Sequence, residues 1–190
     1  MRLVLASTSP YRRDLLARLG IRFDAVAPGV DESSLPAEKP QDLATRLAIA
    51  KAEAGGDGDP DRVVIGSDQL ANMDGQLLGK PGTTAAALSQ LQAMAGQEIV
   101  YSTAVAVHRA GRECRVHLDT SRVRLRRLEP GEIERYVAAE QPLDCAGALK
   151  LEGLGISLCE SIETHDPTAL IGLPLIATAR LLRDQGFPIP

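Results

Sequence analysis

Residues 62–69 read RVVIGSDQ: a run of β-branched apolar residues reaches Gly66 and passes at once to Ser67, Asp68 and Gln69. The run predicts a buried strand with a carboxylate at its end. Burying a carboxylate is costly unless something binds it. A metal ion or a substrate proton would supply the partner, and a strand end holds a site rigidly. An Asp that merely caps the next turn fits the same eight residues.

Working outward from that strand, residues 2–6 predict a second buried strand. It runs into Ser7-Thr8-Ser9-Pro10, a helix start with Ser9 as N-cap and Pro10 at the first helical position. This helix is expected to about Leu19, with Leu15, Leu16 and Leu19 on its core face and Gly20 closing it. A strand near 21–27 leads to a Pro/Gly/Asp-rich loop with Asp31 and Glu32. Pro40 opens a helix to about Ala54, where Leu43, Leu47 and Ala50 recur at helical spacing and Lys51 lies on the edge of the buried face. Residues 55–61 read as a surface loop. A hairpin is expected through Asp74-Gly75 to Leu77-Leu78, then a helix capped by Thr83 or Thr84 that stops at Gly96.

Two long strands, near 98–109 and 113–127, pair across Ala110-Gly111. On the second, apolar residues shift from even positions (Val116, Leu118) to odd ones (Val123, Leu125), which predicts a bulge at 120–122. A helix over 130–139, a Gly-containing segment at 144–155, a strand over 156–162 and a helix opened by Pro174 complete the chain. The order predicts an α/β fold with a mixed twisted sheet flanked by helices. Two lobes with a cleft between them suit it, with a boundary near 78–84 or 127–130, but residues 1–190 are expected to form one domain.

Length and composition narrow the function classes. With 190 residues and 44% hydrophobic content the chain can bury a proper core. Cys114, Cys145 and Cys159 are odd in number and lack C-x-x-C spacing, which argues against a disulfide framework or thiolate zinc and for a reducing cytoplasm. The apolar run after Arg2 is too short for a signal peptide or a membrane span, so a soluble protein away from membranes is expected. A net charge of −4, two Phe, three Tyr and no Trp offer neither the field nor the stacking surfaces for nucleic acid. Any cations that meet an anion must be local.

Ser7, Thr8 and Ser9 stand at a helix N-terminus, with Arg12 and Arg13 one turn further in. Backbone amides and guanidinium forks there suit a phosphate chain, although an ordinary capped helix with solvent-facing arginines fits too. Lys80, immediately before Pro81, is held in extended backbone geometry that aims its ammonium. Asp31-Glu32 together with Asp68 can offer hard oxygens to a magnesium-type ion, while Asp-Glu in a loop is commonly plain solvated charge. Arg122, Arg124 and Arg126 read as a solvated sheet face, and His108, His117 and His165 lack metal-ligand spacing.

In order along the chain, LASTSPYRR (5–13), VDES (30–33), the Lys51 helix, IGSDQ (65–69), GKP (79–81), CAGALKLEGLGISL (145–158) and DPTALIGLPL (166–175) resemble the Maf family of nucleoside triphosphate pyrophosphatases. The resemblance implies an architecture akin to inosine-triphosphate pyrophosphatases and a cleft active site in a cytoplasmic enzyme that often forms homodimers. It also implies the hydrolysis of a nucleoside triphosphate to monophosphate and pyrophosphate with a divalent metal (Mg, Mn or Co). Carried over by position, Asp68 is the catalytic base or a metal ligand and Glu32 the second acidic residue near the metal. Lys51 and Lys80 are site lysines, and Ser7, Arg12 and Arg13 bind phosphate.

Tyr11, Gln69 and Glu152 resemble the set at the substrate-binding positions of the subgroup that hydrolyses 7-methyl-GTP, whereas the dTTP/UTP subgroup shows Arg, Thr and Gln there. A methylated guanine is cationic, which suits an aromatic face at Tyr11 and a carboxylate at Glu152. That subgroup typically has Trp where this chain has Tyr11, and Tyr is the weaker cation–π partner, which predicts softer discrimination. The alternatives are the same reaction on dTTP and UTP, or a non-catalytic nucleotide-binding regulator of septum formation.

Overall fold

The computed structural model describes residues 1–56 and 58–190. The surface loop expected at 55–61 therefore includes one residue, Asp57, outside the described set. The strands are β1 (Arg2–Ala6), β2 (Phe23–Val26), β3 (Arg62–Met73), β4 (Gln76–Leu78), β5 (Glu98–Arg109), β6 (Arg115–Leu125) and β7 (Cys159–Glu163). The helices are α1 (Pro10–Ala17), α2 (Pro40–Ala54), α3 (Thr84–Met94), α4 (Pro130–Glu140) and α5 (Leu175–Asp184). The strand order is β2-β1-β3-β5-β6-β7, with β4 on β3. β1 runs parallel to both β2 and β3, while β3–β4 and β6–β7 are antiparallel, so the sheet is mixed as expected.

The chain gathers into two compact units built of separate segments. The first holds Met1–Gln69, Thr103–Asp119 and Asp166–Pro190, the second Leu70–Ser102 and Thr120–His165. The crossings fall inside β3, β5 and β6 and just after β7. The boundaries expected at 78–84 and 127–130 both lie within the second unit. Strand length explains the difference: β3 and β5 have 12 residues each, about 40 Å of strand at 3.3 Å per residue, well beyond the usual five or six residues.

In the first unit, Leu3 and Leu5 of β1 sit in register with Val63 and Ile65 of β3. They share a core with Leu15 and Leu16 of α1, Val105 and Val107 of β5, and Leu173, Leu181 and Leu182 around α5. Helix α1 begins as expected, with Ser9 accepting from the Arg12 amide, but it ends at Ala17, and Gly20 at φ 69° turns the chain toward β2. Helix α2 matches its expected span. It lies on β3 because Gly66 has no side chain: a Cβ there would lie 2.1 Å from the Ala48 carbonyl oxygen and 2.4 Å from the Ala52 nitrogen. That close approach sets one turn of α2 against the end of the buried part of β3.

In the second unit, Asp74 and Gly75 both have positive φ (51° and 81°), the geometry of a two-residue hairpin turn between β3 and β4. Thr83 caps α3 through the Ala86 amide. The segment after α4 forms short 3-10 turns at Ala146–Ala148 and Leu154–Leu158, so β7 starts at Cys159 rather than at 156. Where the sequence predicts a bulge at 120–122, the register of β6 against β7 shifts instead between Arg124 and Leu125. Odd positions face inward from Asp119 through Ser121, Val123 and Leu125, while Val116 is exposed, so the apolar residues at 116 and 118 do not mark a core face. Two buried polar residues, Asp119 and Ser121, hid the true alternation.

Candidate active site

Asp68 and Lys51 are both buried, at 7% and 4% exposure. Lys51 Nζ donates to Asp68 Oδ1 at 2.7 Å and also pairs with Glu32 Oε1 at 2.6 Å. One ammonium thus sits between a buried carboxylate on a strand and an exposed one on a loop. The close packing of α2 on β3 through Gly66 produces the first contact. A strap produces the second. Arg46, on the same helix as Lys51, grips Glu38 with two hydrogen bonds (2.7 and 2.8 Å) and donates to the Ser33 carbonyl at 2.9 Å. Glu38 in turn accepts from the Leu35 amide. The bonds to Arg46 and the Leu35 amide hold the Glu38 carboxyl down to about 2, and the loop that carries Glu32 is folded back onto α2.

Arg12 is partly buried, and its Nε donates to the Gly172 carbonyl at 2.9 Å. Desolvation lowers its pKa from the ordinary arginine value, and the charges of Asp68 and Glu32 act in the opposite direction. It therefore shares an electrostatic environment with the Lys51 pair. Ser7 is buried beside it in sequence, with its Oγ accepting from the Ser9 amide at 3.1 Å. Tyr11 is half-buried and Arg13 exposed. Gln69 directs its amide nitrogen to the carbonyls of Ala169 and Leu170 (2.7 and 3.1 Å) and to Thr103 Oγ1 at 3.1 Å.

Of the residues singled out in the sequence, Ser7, Tyr11, Arg12, Arg13, Glu32, Lys51, Asp68 and Gln69 all belong to the first unit, and its contacts join Lys51, Asp68 and Glu32 directly. Lys80 and Glu152 belong to the second unit, and both are exposed. There, α4 shapes the segment that carries Glu152. Tyr136 Oη accepts from the Lys150 amide and donates to the Ala148 carbonyl, while Glu140 accepts from the Leu154 amide at 2.6 Å. Gly153 passes so near the Glu140 carboxylate that a Cβ would collide with it.

The arginines at 122, 124 and 126 are engaged with Glu98 and Glu132, as a solvated face would be. Among the described residues no cluster of three or more His, Cys, Asp or Glu suited to a metal occurs, and Cys114, Cys145 and Cys159 form no disulfide. Glu32 and Asp68 are nonetheless hard-oxygen donors on either side of one cation. Two such carboxylates, completed by phosphate oxygens and water, fit the way magnesium-type ions are held.

Sequence reasoning overlooked Ser67, Thr103 and Asp166. Ser67 Oγ faces the carbonyls of Ala104 and Gly172 at 2.8 and 3.0 Å, and Asp166 is buried at 4% exposure. The Asp-Pro-Thr order before a Pro-led helix was the available signal, since Asp and Thr commonly cap helix starts.

Fold and site define an α/β protein whose buried carboxylate, inside β3 rather than at the strand end the sequence suggested, is fixed by a lysine of α2, with an arginine-bearing helix start in the same unit. The chain belongs to the Maf family: the Maf-like protein family matches residues 2–185. It is 57% identical over 190 residues to a Xanthomonas axonopodis pv. citri protein named 7-methyl-GTP pyrophosphatase, covering 100% of this chain and 99% of that one. A protein of the same name from Albidiferax ferrireducens is 52% identical, covering 99% of this chain and 95% of that one. The solved structure of the Staphylococcus aureus Ham1 protein overlaps at a TM-score of 0.48 and 14% identity, covering 66% of this chain and 72% of that one.

Proposed function

We propose that this protein hydrolyses 7-methyl-GTP to 7-methyl-GMP and pyrophosphate in the cytoplasm. The observation that carries the reading is the Lys51 ammonium shared by Asp68 and Glu32, with Arg12 in the same field, in a chain over half identical to proteins of that name. Phosphoryl-type chemistry asks the protein chiefly to position the chain and neutralise its charge. Arg12 and Arg13 suit the phosphate oxygens, with Ser7 at the helix start. Lys51 engages Asp68 Oδ1, which leaves Oδ2 as the atom to take a proton from the attacking water. Water adds to the α-phosphorus, the bond to the bridging oxygen of the β-phosphate breaks, and pyrophosphate leaves.

A divalent ion bound by Asp68 and Glu32 would acidify the water and neutralise the phosphates. By family motif, Lys80 is assigned a second cationic role and Glu152 the guanine edge, with Tyr11 as the aromatic face for the methylated ring. Gln69 belongs to the same subgroup signature.

The reading is tested by measuring pyrophosphate release from 7-methyl-GTP by the wild type and by Asp68→Asn. Turnover in the wild type, lowered at least about a hundredfold in the variant with its melting temperature retained, is the expected result. Nucleotide binding without turnover in the wild type would favour a regulator. Equal turnover in both proteins would remove Asp68 from the chemistry.

A further inference from the structure

Residues 166–173 make more bonds to the site than any role assigned so far explains. Asp166 Oδ1 accepts from the Thr168 amide and hydroxyl at 2.9 and 2.6 Å, and its Oδ2 accepts from the Ile176 amide at 2.7 Å. Thr168 Oγ1 accepts from the Leu175 amide at 2.8 Å. These two side chains bind the first amides of α5, whose N-cap, Pro174, has no side-chain bond to give. They fix the turn at Ala169–Ile171, which Gln69 and Thr103 bind from the sheet through its carbonyls. The turn ends at Gly172, where φ is 126°. That conformation, rare for other residues, presents its carbonyl to Arg12 Nε at 2.9 Å and to Ser67 Oγ at 3.0 Å.

A guanidinium is planar with five donors in a fixed fork. Once Nε is bound, the plane is set and the terminal nitrogens keep their hydrogens for another partner. We propose that segment 166–173 positions Arg12 for the triphosphate, with Asp166, Thr168 and Ser67 as positioning residues that hold the Gly172 carbonyl on Nε and leave the terminal N–H groups to phosphate oxygens. The inference rests on the triphosphate reading above. Gln69, on this account, acts on substrate through the turn and Arg12.

The test is a double-mutant cycle in the full-length protein, with Thr168→Val and the milder Ser67→Ala each made alone and with Arg12→Ala. kcat/KM for 7-methyl-GTP and the Kd of its non-hydrolysable α,β-methylene analogue are measured, with melting temperature as the check on folding. Thr168→Val should lower kcat/KM about ten- to hundredfold, the scale of a misplaced group, and Ser67→Ala by several-fold. Thr168→Ser, which keeps the hydroxyl, should stay within about threefold of wild type. In the Arg12→Ala background neither Thr168→Val nor Ser67→Ala should cost more than about twofold, because the group they position is gone. Equal losses in both backgrounds, or full activity in Thr168→Val and Ser67→Ala, would overturn the proposal. If the wild type binds the analogue but cleaves nothing, the hydrolase reading falls and the cycle is decided on Kd by the same criteria; a wild type that does neither overturns both.

Discussion

Lys51 and Asp68 illustrate how a single residue's cost identifies its use. A lysine and an aspartate at 4% and 7% exposure would each be expensive alone, and their pairing offsets the desolvation. Such a pair is weak evidence for stability as such, but it fixes Oδ1, and Oδ2 is the atom proposed to take the proton. Sequence reading singled out Asp68 from the abrupt change at IGSDQ, although the strand expected to end there continues to Met73. Periodicity placed Lys51 only on a helix edge, because it gives a helix face but not what faces it, and the family resemblance alone made it a site lysine. Glu152 presents a different case. It is exposed, on a segment built by Tyr136 and Glu140. As the proposed acceptor for guanine, Glu152→Gln should lower kcat/KM for 7-methyl-GTP at least about tenfold more than for UTP, the scale of one charge-assisted hydrogen bond. Parallel kinetics on the two substrates check this, and equal losses would take Glu152 out of base reading.

Between elements, the decisive contact is α2 on β3. Gly66 permits it, and Gly66→Ala would force main chain apart, since the new Cβ meets the Ala48 carbonyl and the Ala52 amide rather than a movable side chain. Denaturant unfolding should show a loss of at least about 2 kcal/mol, within or above the usual range for overpacking, together with loss of turnover as Lys51 is displaced from Asp68. The strap of Arg46 and Glu38 has its own signature in pH. The folded Glu38 carboxyl titrates at about 2, below its ordinary 4.5, so its contribution is complete above about 4.5 and fades as pH falls toward 2. The melting-temperature gap between wild type and Glu38→Gln should hold steady from pH 7 to 5 and close near pH 2. A gap unchanged at pH 2 would mean the strap works without the charge. The sequence displayed α2 fully, because Pro40 and the apolar spacing mark it. It concealed the strap, since a loop's hydrogen bonds leave no periodic trace. It also misled at β6, where buried Asp119 and Ser121 occupy inward positions that a hydrophobic pattern assigns to apolar residues.

For the whole molecule, the mixed α/β architecture could be read from element order, but the division into units could not. Sequence punctuation at 78–84 and 127–130 marks turns inside one unit, whereas three of the four passages between units run inside β3, β5 and β6, where the strand continues, and the fourth falls just after β7, at Asp166-Pro167. The first unit takes its segments from the start, middle and end of the chain, and this brings Gly172 to Arg12 across 160 positions. A site assembled that way is visible in sequence only through residue types in order, which is what the Maf motifs supply. The proposed substrate for these groups is a triphosphate bearing a methylated guanine. Pyrophosphate release with 7-methyl-GTP, GTP, dTTP and UTP, compared as kcat/KM at one magnesium concentration, tests it most directly. One pyrophosphate per 7-methyl-GMP formed and the highest kcat/KM for 7-methyl-GTP are expected; a preference for dTTP and UTP, or no pyrophosphate from any of the four, would overturn the assignment.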